Sequence, residues 1–227
     1  MGIGDTHHDP VPVPPPMTLA TDLTETPVVL VHGYMDANTM PWWDRIRGYL
    51  DDFGFDVDKI RVADLGDVPG TTVGSPKEYA REVRHEVERL YDRYGRVNLL
   101  AHSMGGIDSR WYVEMMDGHE HVENLVTLGT PHQGTYAAYL GYFSHGGRAL
   151  TPTSDVIRTL NADGPADGVD YTGIWGKADA LVVPSAHGQL PWDHVDNVRN
   201  VGVGLYGHLS LIFRKSLLKK YLRFLTD

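Results

Sequence analysis

The stretch VNLLAHSMGG (residues 97–106) decides the fold, because it joins a strand directly to a helix. Val97 to Ala101 is a short apolar run of the kind that forms a buried parallel strand. A helix is predicted over Met104 to Met116, so Ser103 is expected at a sharp strand-to-helix turn. Such a turn holds the serine in a strained backbone conformation and lifts its hydroxyl clear of the sheet.

Only small side chains fit two positions before and two positions after the serine of such a turn. Ala101 and Gly105 satisfy this requirement, although glycine is usual at both positions and Ala101 is a sterically mild departure. The alternative interpretation is a serine that merely caps a helix after a strand. The strand before Ser103 and the helix after it favour the nucleophile over the cap.

Strand-like and helix-like segments alternate along the chain on both sides of this turn. The predicted strands lie at residues 28–31, 59–65, 97–101, 122–128, 171–175 and 198–203, and the predicted helices lie at residues 42–53, 76–94, 104–116, 155–161 and 209–225. This alternation predicts an α/β fold with a mainly parallel sheet of about six strands and helices on both faces. In such sheets ligands bind at the carboxyl ends of the strands, so the catalytic residues are expected there.

The length and composition of the chain exclude several classes of protein. The 227 residues predict a single catalytic domain over residues 26–227, preceded by a Pro-rich flexible arm over residues 1–25. The net charge of −10 argues against a nucleic-acid partner, since nucleic-acid binding requires a basic surface. No apolar run approaches the ~20 residues of a membrane span, so no integral membrane segment is expected.

The residue types also limit cofactors, assembly and location. The chain has no cysteine, which excludes a disulfide, a thiolate metal site and a cysteine nucleophile. The histidines and aspartates show no tight ligand spacing, so no metal is expected. No organic cofactor is expected either, and a monomer is favoured. Residues 1–20 contain no apolar stretch of the signal-peptide kind, so the chain is secreted if a leader was removed and cytoplasmic otherwise.

A serine nucleophile needs a base within hydrogen-bonding distance and an acid that orients the base. In folds of this type the chain order is serine, acid, histidine. His208 follows the last predicted strand and Asp179 follows the strand at 171–175, so both lie at the carboxyl ends of strands. Asp170 precedes that strand and is therefore at the wrong end of the sheet. Ser103, Asp179 and His208 are the predicted catalytic residues.

Ester hydrolysis also needs hydrogen-bond donors for the oxyanion of the tetrahedral intermediate. One donor is the backbone N–H that follows the nucleophile, which belongs to Met104. The other is expected from a loop after an early strand, and His32-Gly33-Tyr34 follows the strand at 28–31. Tyr34 would supply its backbone N–H there, while simple strand termination at Gly33 is the alternative interpretation.

Five stretches of the chain resemble the α/β-hydrolase superfamily and, within it, the small bacterial triacylglycerol lipases of the compact bacillus type. They are VVLVHGY (28–34), VNLLAHSMGG (97–106), VTLGTPHQGT (126–135), YTGIWGKADALVVP (171–184) and VGLYGHLSL (203–211). The resemblance implies the same three catalytic residues and the same two oxyanion donors. It also implies a serine-dependent hydrolase of carboxylic esters, a triacylglycerol lipase or esterase that cleaves small-molecule or lipid esters through an acyl-enzyme on Ser103.

The chain is longer than the minimal lipases, in the arm and around residues 136–170, which leaves room for a minimal or short lid. Five large side chains in the second region either form a short flap over the site or belong to the core: Tyr136, Tyr139, Leu140, Tyr142 and Phe143. We expect them in the core, because large apolar side chains are mostly buried.

Three other functions stay open at this point. The combination of Tyr34 with Ser103-Met104 is also similar to the site of cutinase-like polyester hydrolases. The same catalytic residues serve amidases, peptidases and acyltransferases, because fold and nucleophile do not fix the substrate. A non-catalytic binding protein on a hydrolase scaffold is the remote alternative, since such a protein usually lacks one of the catalytic residues.

Overall fold

Six parallel strands form the central sheet, in the order β2-β1-β3-β4-β5-β6. The computed structural model describes residues 25–66, 68–192 and 194–226. The strands are β1 (Val28–Val31), β2 (Ile60–Val62), β3 (Val97–His102), β4 (Val122–Leu128), β5 (Asp170–Trp175) and β6 (Val198–Gly202). The predicted arm over residues 1–25 lies, apart from Glu25, outside the described residues, and the division into an arm and one domain stays a prediction.

Helices cover both faces of this sheet. They are α1 (Pro41–Asp52), α2 (Pro76–Tyr94), α3 (Met104–Met115), α4 (His145–Ala149), α5 (Asp155–Ala162), α6 (Ser210–Phe213) and α7 (Lys215–Tyr221). Along β1 the side chains alternate: Val29 and Val31 pack with α2 and α3, whereas Val28 and Leu30 pack with α1, α6 and α7. The predicted α/β fold with helices on both faces is confirmed.

Local sequence signals determine where helix α2 begins and ends. The Ser75 side chain accepts a hydrogen bond from the Lys77 N–H, and the Glu78 side chain accepts one from the Ser75 N–H. This reciprocal cap satisfies two donors that the first turn of a helix leaves free. Gly95, at φ 88°, ends the helix in a left-handed conformation that glycine adopts without strain. The predicted bounds of 76–94 are confirmed.

The end of the chain differs from the single helix predicted over residues 209–225. Arg214 has an extended backbone (φ −93°, ψ 105°) that separates α6 from α7, and a 3₁₀ helix, Leu222–Leu225, follows α7. Buried side chains occur in all three pieces, and on one unbroken helix they would spread over more than half of its circumference. The break turns α7 so that its apolar side chains also reach the sheet.

The connection between β4 and β5 carries the elements nearest the site. It contains a 3₁₀ helix, Tyr136–Gly141, followed by α4 and α5. Leu150, Ile157 and Leu160 from this connection pack against Met104 and Ile107 of α3 in a third apolar cluster. Because α3 begins directly after Ser103, this cluster anchors the connection beside the carboxyl ends of the strands.

Candidate active site

Ser103 occupies the turn between β3 and α3 with φ 57° and ψ −129°, a conformation that is rare for a residue with a side chain. Its N–H donates a hydrogen bond of 3.0 Å to the Leu128 carbonyl oxygen, which ties the turn to β4. A Cβ atom on Gly105 would lie 2.3 Å from the His32 carbonyl oxygen, so only glycine fits there. The predicted strained turn is confirmed.

Asp179 and His208 form a buried hydrogen-bonded pair at the carboxyl ends of β5 and β6. His208 Nδ1 lies 2.7 Å from Asp179 Oδ2, and both residues are buried. The other carboxylate oxygen, Oδ1, accepts hydrogen bonds of 2.9 Å from the Leu181 and Val182 N–H groups. Because a carboxylate faces Nδ1, we assign the proton of the neutral ring to Nδ1, which leaves Nε2 free to accept a proton.

Ser103 and His208 line one cavity, so the structure brings the three predicted catalytic residues to the same place. Between these two described residues, the structure contains no hydrogen bond from the serine hydroxyl to the imidazole. Hydrogen bonds of this type are often long in a protein without substrate and shorten in the substrate complex. The arrangement therefore places a possible nucleophile and a possible base in the lining of the same cavity.

His102 is a further site residue, which sequence reasoning missed. Its ring lies 4.6 Å from the His208 ring, centroid to centroid, and its Nε2 lies 3.4 Å from the His208 carbonyl oxygen. Burial lowers the pKa of His102 well below its ordinary value, and the neighbouring His208 lowers it further. His102 is therefore neutral and packs against His208, the predicted base. The available signal was a polar side chain at the end of a mainly apolar strand, in which Asn98 is the other polar residue.

The two segments that carry the predicted oxyanion donors, Tyr34 and Met104, lie against each other beside Ser103. A Cβ atom on Gly33 would lie 2.8 Å from Ser103 Cβ and 3.3 Å from the Met104 nitrogen, so the loop after β1 runs directly against the turn. This close approach brings the Gly33-Tyr34 backbone next to the first residue of α3. The N–H groups of the first turn of a helix have no partner within the helix and carry a partial positive charge.

The cavity beside Ser103 has a volume of about 520 Å³ and a mostly apolar lining. Its walls come from the loop after β1, from residues 131–150 and from the loops that hold Asp179 and His208. A volume of several hundred cubic ångströms with few polar groups is typical of a small-molecule or acyl-chain site.

The aromatic side chains after Thr135 are exposed, so the expectation that they belong to the core is wrong. Tyr136, Tyr139, Leu140, Tyr142 and Phe143 are between 49% and 86% exposed. Ala138 is the buried residue of the 3₁₀ helix in this region, and the larger side chains lie on the exposed faces of that helix. The tyrosine rings stack on each other instead of packing inside, and Leu140 and Phe143 line the cavity.

The described residues contain neither a group of side chains suited to a metal ion nor a helix that could span a membrane. Across residues 25–66, 68–192 and 194–226, no three histidine, aspartate or glutamate side chains are grouped so that they could hold a metal ion. Within the same ranges, every helix is too short or too polar to cross a bilayer.

Comparison with known sequences relates the chain to one family and to lipases. The sequence model of the family described as Palmitoyl protein thioesterase matches residues 27–161. Triacylglycerol lipases of Burkholderia plantarii and Pseudarthrobacter phenanthrenivorans are each 30% identical to the chain, over 129 and 118 residues. These alignments cover 53% and 49% of the chain but 34% and 35% of the relatives, so the chain matches about a third of the length of these relatives.

Comparison with solved structures confirms the fold. The mature form of a Bacillus licheniformis lipase superposes with a TM-score of 0.70 at 19% sequence identity, over 96% of each chain. A metagenomic carboxyl esterase superposes with a TM-score of 0.69 at 15% identity, over 96% of this chain and 80% of the other. The six-stranded sheet described above has the α/β-hydrolase fold, as the resemblance implied.

Proposed function

Because the chain belongs to the palmitoyl protein thioesterase family, we propose that it is a serine-dependent hydrolase of carboxylic esters that acts through an acyl-enzyme on Ser103. The observation that carries the proposal is the buried pair of Asp179 and His208, which opens on the same cavity as the strained Ser103. The lipases among the relatives support the same class of reaction.

The first half of the proposed reaction forms the acyl-enzyme. His208 Nε2 accepts the proton of the Ser103 hydroxyl as the serine oxygen attacks the ester carbonyl carbon, and Asp179 stabilises the resulting imidazolium. The backbone N–H groups of Tyr34 and Met104 donate hydrogen bonds to the oxyanion of the tetrahedral intermediate. His208 then gives the proton to the leaving alcohol as the carbon–oxygen bond breaks.

The second half releases the acid. A water molecule attacks the acyl carbon while His208 takes one of its protons, and the same two N–H groups hold the oxyanion. The bond to the Ser103 oxygen then breaks, and His208 returns the proton to that oxygen. The carboxylic acid leaves, and the serine and the neutral imidazole are restored.

The rim of the cavity favours lipid esters over small polar esters. Five apolar side chains that line the cavity are exposed: Met35, Leu140, Phe143, Leu181 and Leu209. Exposed apolar side chains that cluster in this way mark a surface that binds apolar ligands. The net charge of −10 disfavours anionic lipid surfaces. We therefore propose neutral lipid esters such as triacylglycerols, the substrate named for the bacterial relatives.

The test is a series of initial rates on p-nitrophenyl esters from acetate to palmitate, with Ser103→Ala in parallel. We expect cleavage of long-chain esters and a loss of about 10⁶-fold in kcat for Ser103→Ala. Ser216→Ala, an exposed serine on α7, is the matched control and should keep the wild-type rate. Turnover that persists in Ser103→Ala, or a wild-type protein inactive on every ester, would contradict the proposal.

Thioester cleavage is the second candidate, since the family description names a thioesterase. The same nucleophile and base attack a thioester carbonyl, and a thiol, with a pKa near ~8.5, leaves without the full help of a proton donor. The deciding measurement is kcat/KM for one acyl chain carried as a thioester and as an alkyl oxoester. The thioester and the oxoester also differ in their rates of spontaneous hydrolysis. If the thioester-to-oxoester ratio of kcat/KM is far above the same ratio for spontaneous hydrolysis, the substrate class is reassigned to thioesters.

A further inference from the structure

Two segments that line the cavity on different sides of Ser103 are joined by one side chain. The oxyanion loop (residues 33–35) lies against the strand-to-helix turn, and the cap segment (residues 136–149) carries two of the exposed apolar side chains of the rim, Leu140 and Phe143. The Tyr34 hydroxyl reaches across to the cap segment and lies 2.8 Å from Ser144 Oγ.

The direction of this hydrogen bond follows from the other partners of Ser144. Its Oγ accepts a hydrogen bond of 3.0 Å from the Gly147 N–H at the start of α4 and lies 2.9 Å from the Gly141 carbonyl oxygen. A carbonyl only accepts, so the single Ser144 proton is donated to Gly141. The Tyr34 hydroxyl therefore donates to the remaining lone pair of Ser144, and every hydrogen-bonding position of this serine is used.

The Tyr34 ring also packs directly on the backbone of the cap segment. A Cβ atom on Gly146 would lie 3.0 Å from the ring, and one on Gly141 would lie 3.0 Å from its hydroxyl oxygen. Both glycines thus leave room for the ring, and no larger residue fits without a shift. The contact fixes the distance between the cap segment and the loop whose N–H is the proposed oxyanion donor.

Other bonds hold the ends of the cap segment. The Tyr136 N–H donates to the Val183 carbonyl oxygen at 2.9 Å, and the Gly146 N–H donates to the Val73 carbonyl oxygen at 2.8 Å. Leu140 lies between these ties, is 86% exposed and lines the cavity. Its part of the wall is joined to the oxyanion loop through Tyr34.

We propose that the Tyr34 side chain is a positioning residue that sets acyl-chain selectivity. Its hydrogen bond fixes the position of the apolar wall of the cap segment relative to the oxyanion hole. An acyl chain that lies along Leu140 and Phe143 then has its carbonyl carbon beside the catalytic serine. An acetyl group is too short to reach this wall, so acetate is the reference substrate against which the effect of the Tyr34–Ser144 bond on laurate is measured. The inference rests on the proposed ester hydrolysis and names the residue that tunes its substrate.

The test compares kcat and KM on p-nitrophenyl acetate and p-nitrophenyl laurate in four proteins: wild type, Tyr34→Phe, Ser144→Ala and the double variant. We expect the laurate-to-acetate ratio of kcat/KM to fall about threefold to tenfold in each single variant, the range that one net hydrogen bond provides. The fall should appear mainly in KM for laurate, since the wall binds the chain in the ground state and the transition state alike.

The double variant and one matched control distinguish this positioning role from a general loss of structure in the cap segment. Both single variants break the bond between Tyr34 and Ser144, but Ser144→Ala also removes the bonds of this serine to Gly147 and Gly141. The double variant should therefore show the same ratio as Ser144→Ala. Tyr142→Phe removes the hydroxyl of an exposed tyrosine on the same segment that does not line the cavity, and should keep the wild-type ratio. Amide hydrogen exchange in residues 136–143 should be faster in Tyr34→Phe than in wild type.

An unchanged ratio in an active Tyr34→Phe protein, or losses that add in the double variant, would overturn the inference while the proposed function stands. If Tyr34→Phe does not fold, Ser144→Ala decides alone, by the same ratio. A wild-type protein that hydrolyses neither ester would overturn the proposed function and this inference together, and the wild-type rates identify that outcome without any variant.

Discussion

The Asp179 carboxylate accepts three hydrogen bonds, two from backbone N–H groups at Leu181 and Val182 and one from His208 Nδ1. The two backbone donors fix one carboxylate oxygen in the loop after β5, and this leaves the other oxygen facing the imidazole. An asparagine in this place would keep its oxygen on the backbone donors and turn its amide group toward His208. The ring would then have to accept at Nδ1 and carry its proton on Nε2, which is the wrong tautomer for a base.

We therefore predict that Asp179→Asn folds normally and loses about 10⁴-fold in kcat on a p-nitrophenyl ester, with KM little changed. Asp170→Asn is the control, because Asp170 begins the same strand at the opposite end of the sheet. Its kcat should equal that of wild type. A loss of less than tenfold in Asp179→Asn would exclude the tautomer argument.

The chain order of the site residues could be predicted because each one follows a strand with a clear apolar pattern. Ser103, Asp179 and His208 come after β3, β5 and β6, and a parallel sheet brings these strand ends together. The contact between the His102 and His208 rings could not be predicted, because it depends on the path by which the loop after β6 returns over β3. The bond between Tyr34 and Ser144 depends in the same way on a loop packing that no local pattern encodes.

At the scale of elements, α2 and α3 each carry an arginine–glutamate ion pair at the same spacing in opposite surroundings. Arg84 Nε lies 2.7 Å from Glu88 on the exposed face of α2, with side chains 50% and 38% exposed. Arg110 Nε lies 2.8 Å from Glu114 on α3, with side chains 0% and 3% exposed. Arg110 also donates to Asn161 and to the Leu160 carbonyl oxygen, so this pair ties α3 to α5.

Removing one charge should therefore have unequal effects on the two helices. Glu114→Gln leaves the Arg110 charge buried without its counterion and should lower the free energy of unfolding by about 3–5 kcal/mol. Glu88→Gln should change it by less than about 0.5 kcal/mol, because water screens the exposed pair. Urea unfolding of both variants checks this comparison, and equal losses would show that burial does not govern the pair.

Elements with a regular apolar repeat were predictable, and those shaped by tertiary packing were not. The stripe from Tyr79 to Tyr94 and its capping box defined α2. The break at Arg214 has no local signal such as proline or glycine, since it arises from the need to bury side chains on both sides of it. The aromatic side chains of the cap segment were misassigned because apolar composition indicates burial or a binding surface equally well.

Three buried histidines link the stability of the whole molecule to pH. Burial lowers the pKa of His32 to about 4 and lowers those of His102 and His132 well below their ordinary value of 6.5. Below pH 6.5 the unfolded chain takes up protons that the folded protein does not bind, so stability is full above this pH and falls as the pH drops toward the folded pKa. Asp108 acts in the opposite direction, because burial raises the pKa of its carboxyl.

A difference between variants isolates one histidine from these opposing contributions. Between pH 7 and pH 5 we expect the wild-type protein to lose about 2 kcal/mol more unfolding free energy than His32→Gln, since glutamine does not titrate. His85→Gln, at an exposed position on α2, should lose as much as wild type. Urea unfolding at the two pH values gives both differences, and equal losses in wild type and His32→Gln would contradict the assignment of a neutral buried His32.

The order of the proposed site residues along the chain determines when the site can be complete during synthesis. Ser103 and the β4 residue that binds its N–H have both been made once synthesis reaches Leu128, whereas His208 follows β6, the edge strand beside β5. A nascent chain therefore carries the proposed nucleophile long before it carries the base. Under the proposed mechanism, a partly made chain that lacks His208 has no base for Ser103 and is not expected to cleave esters.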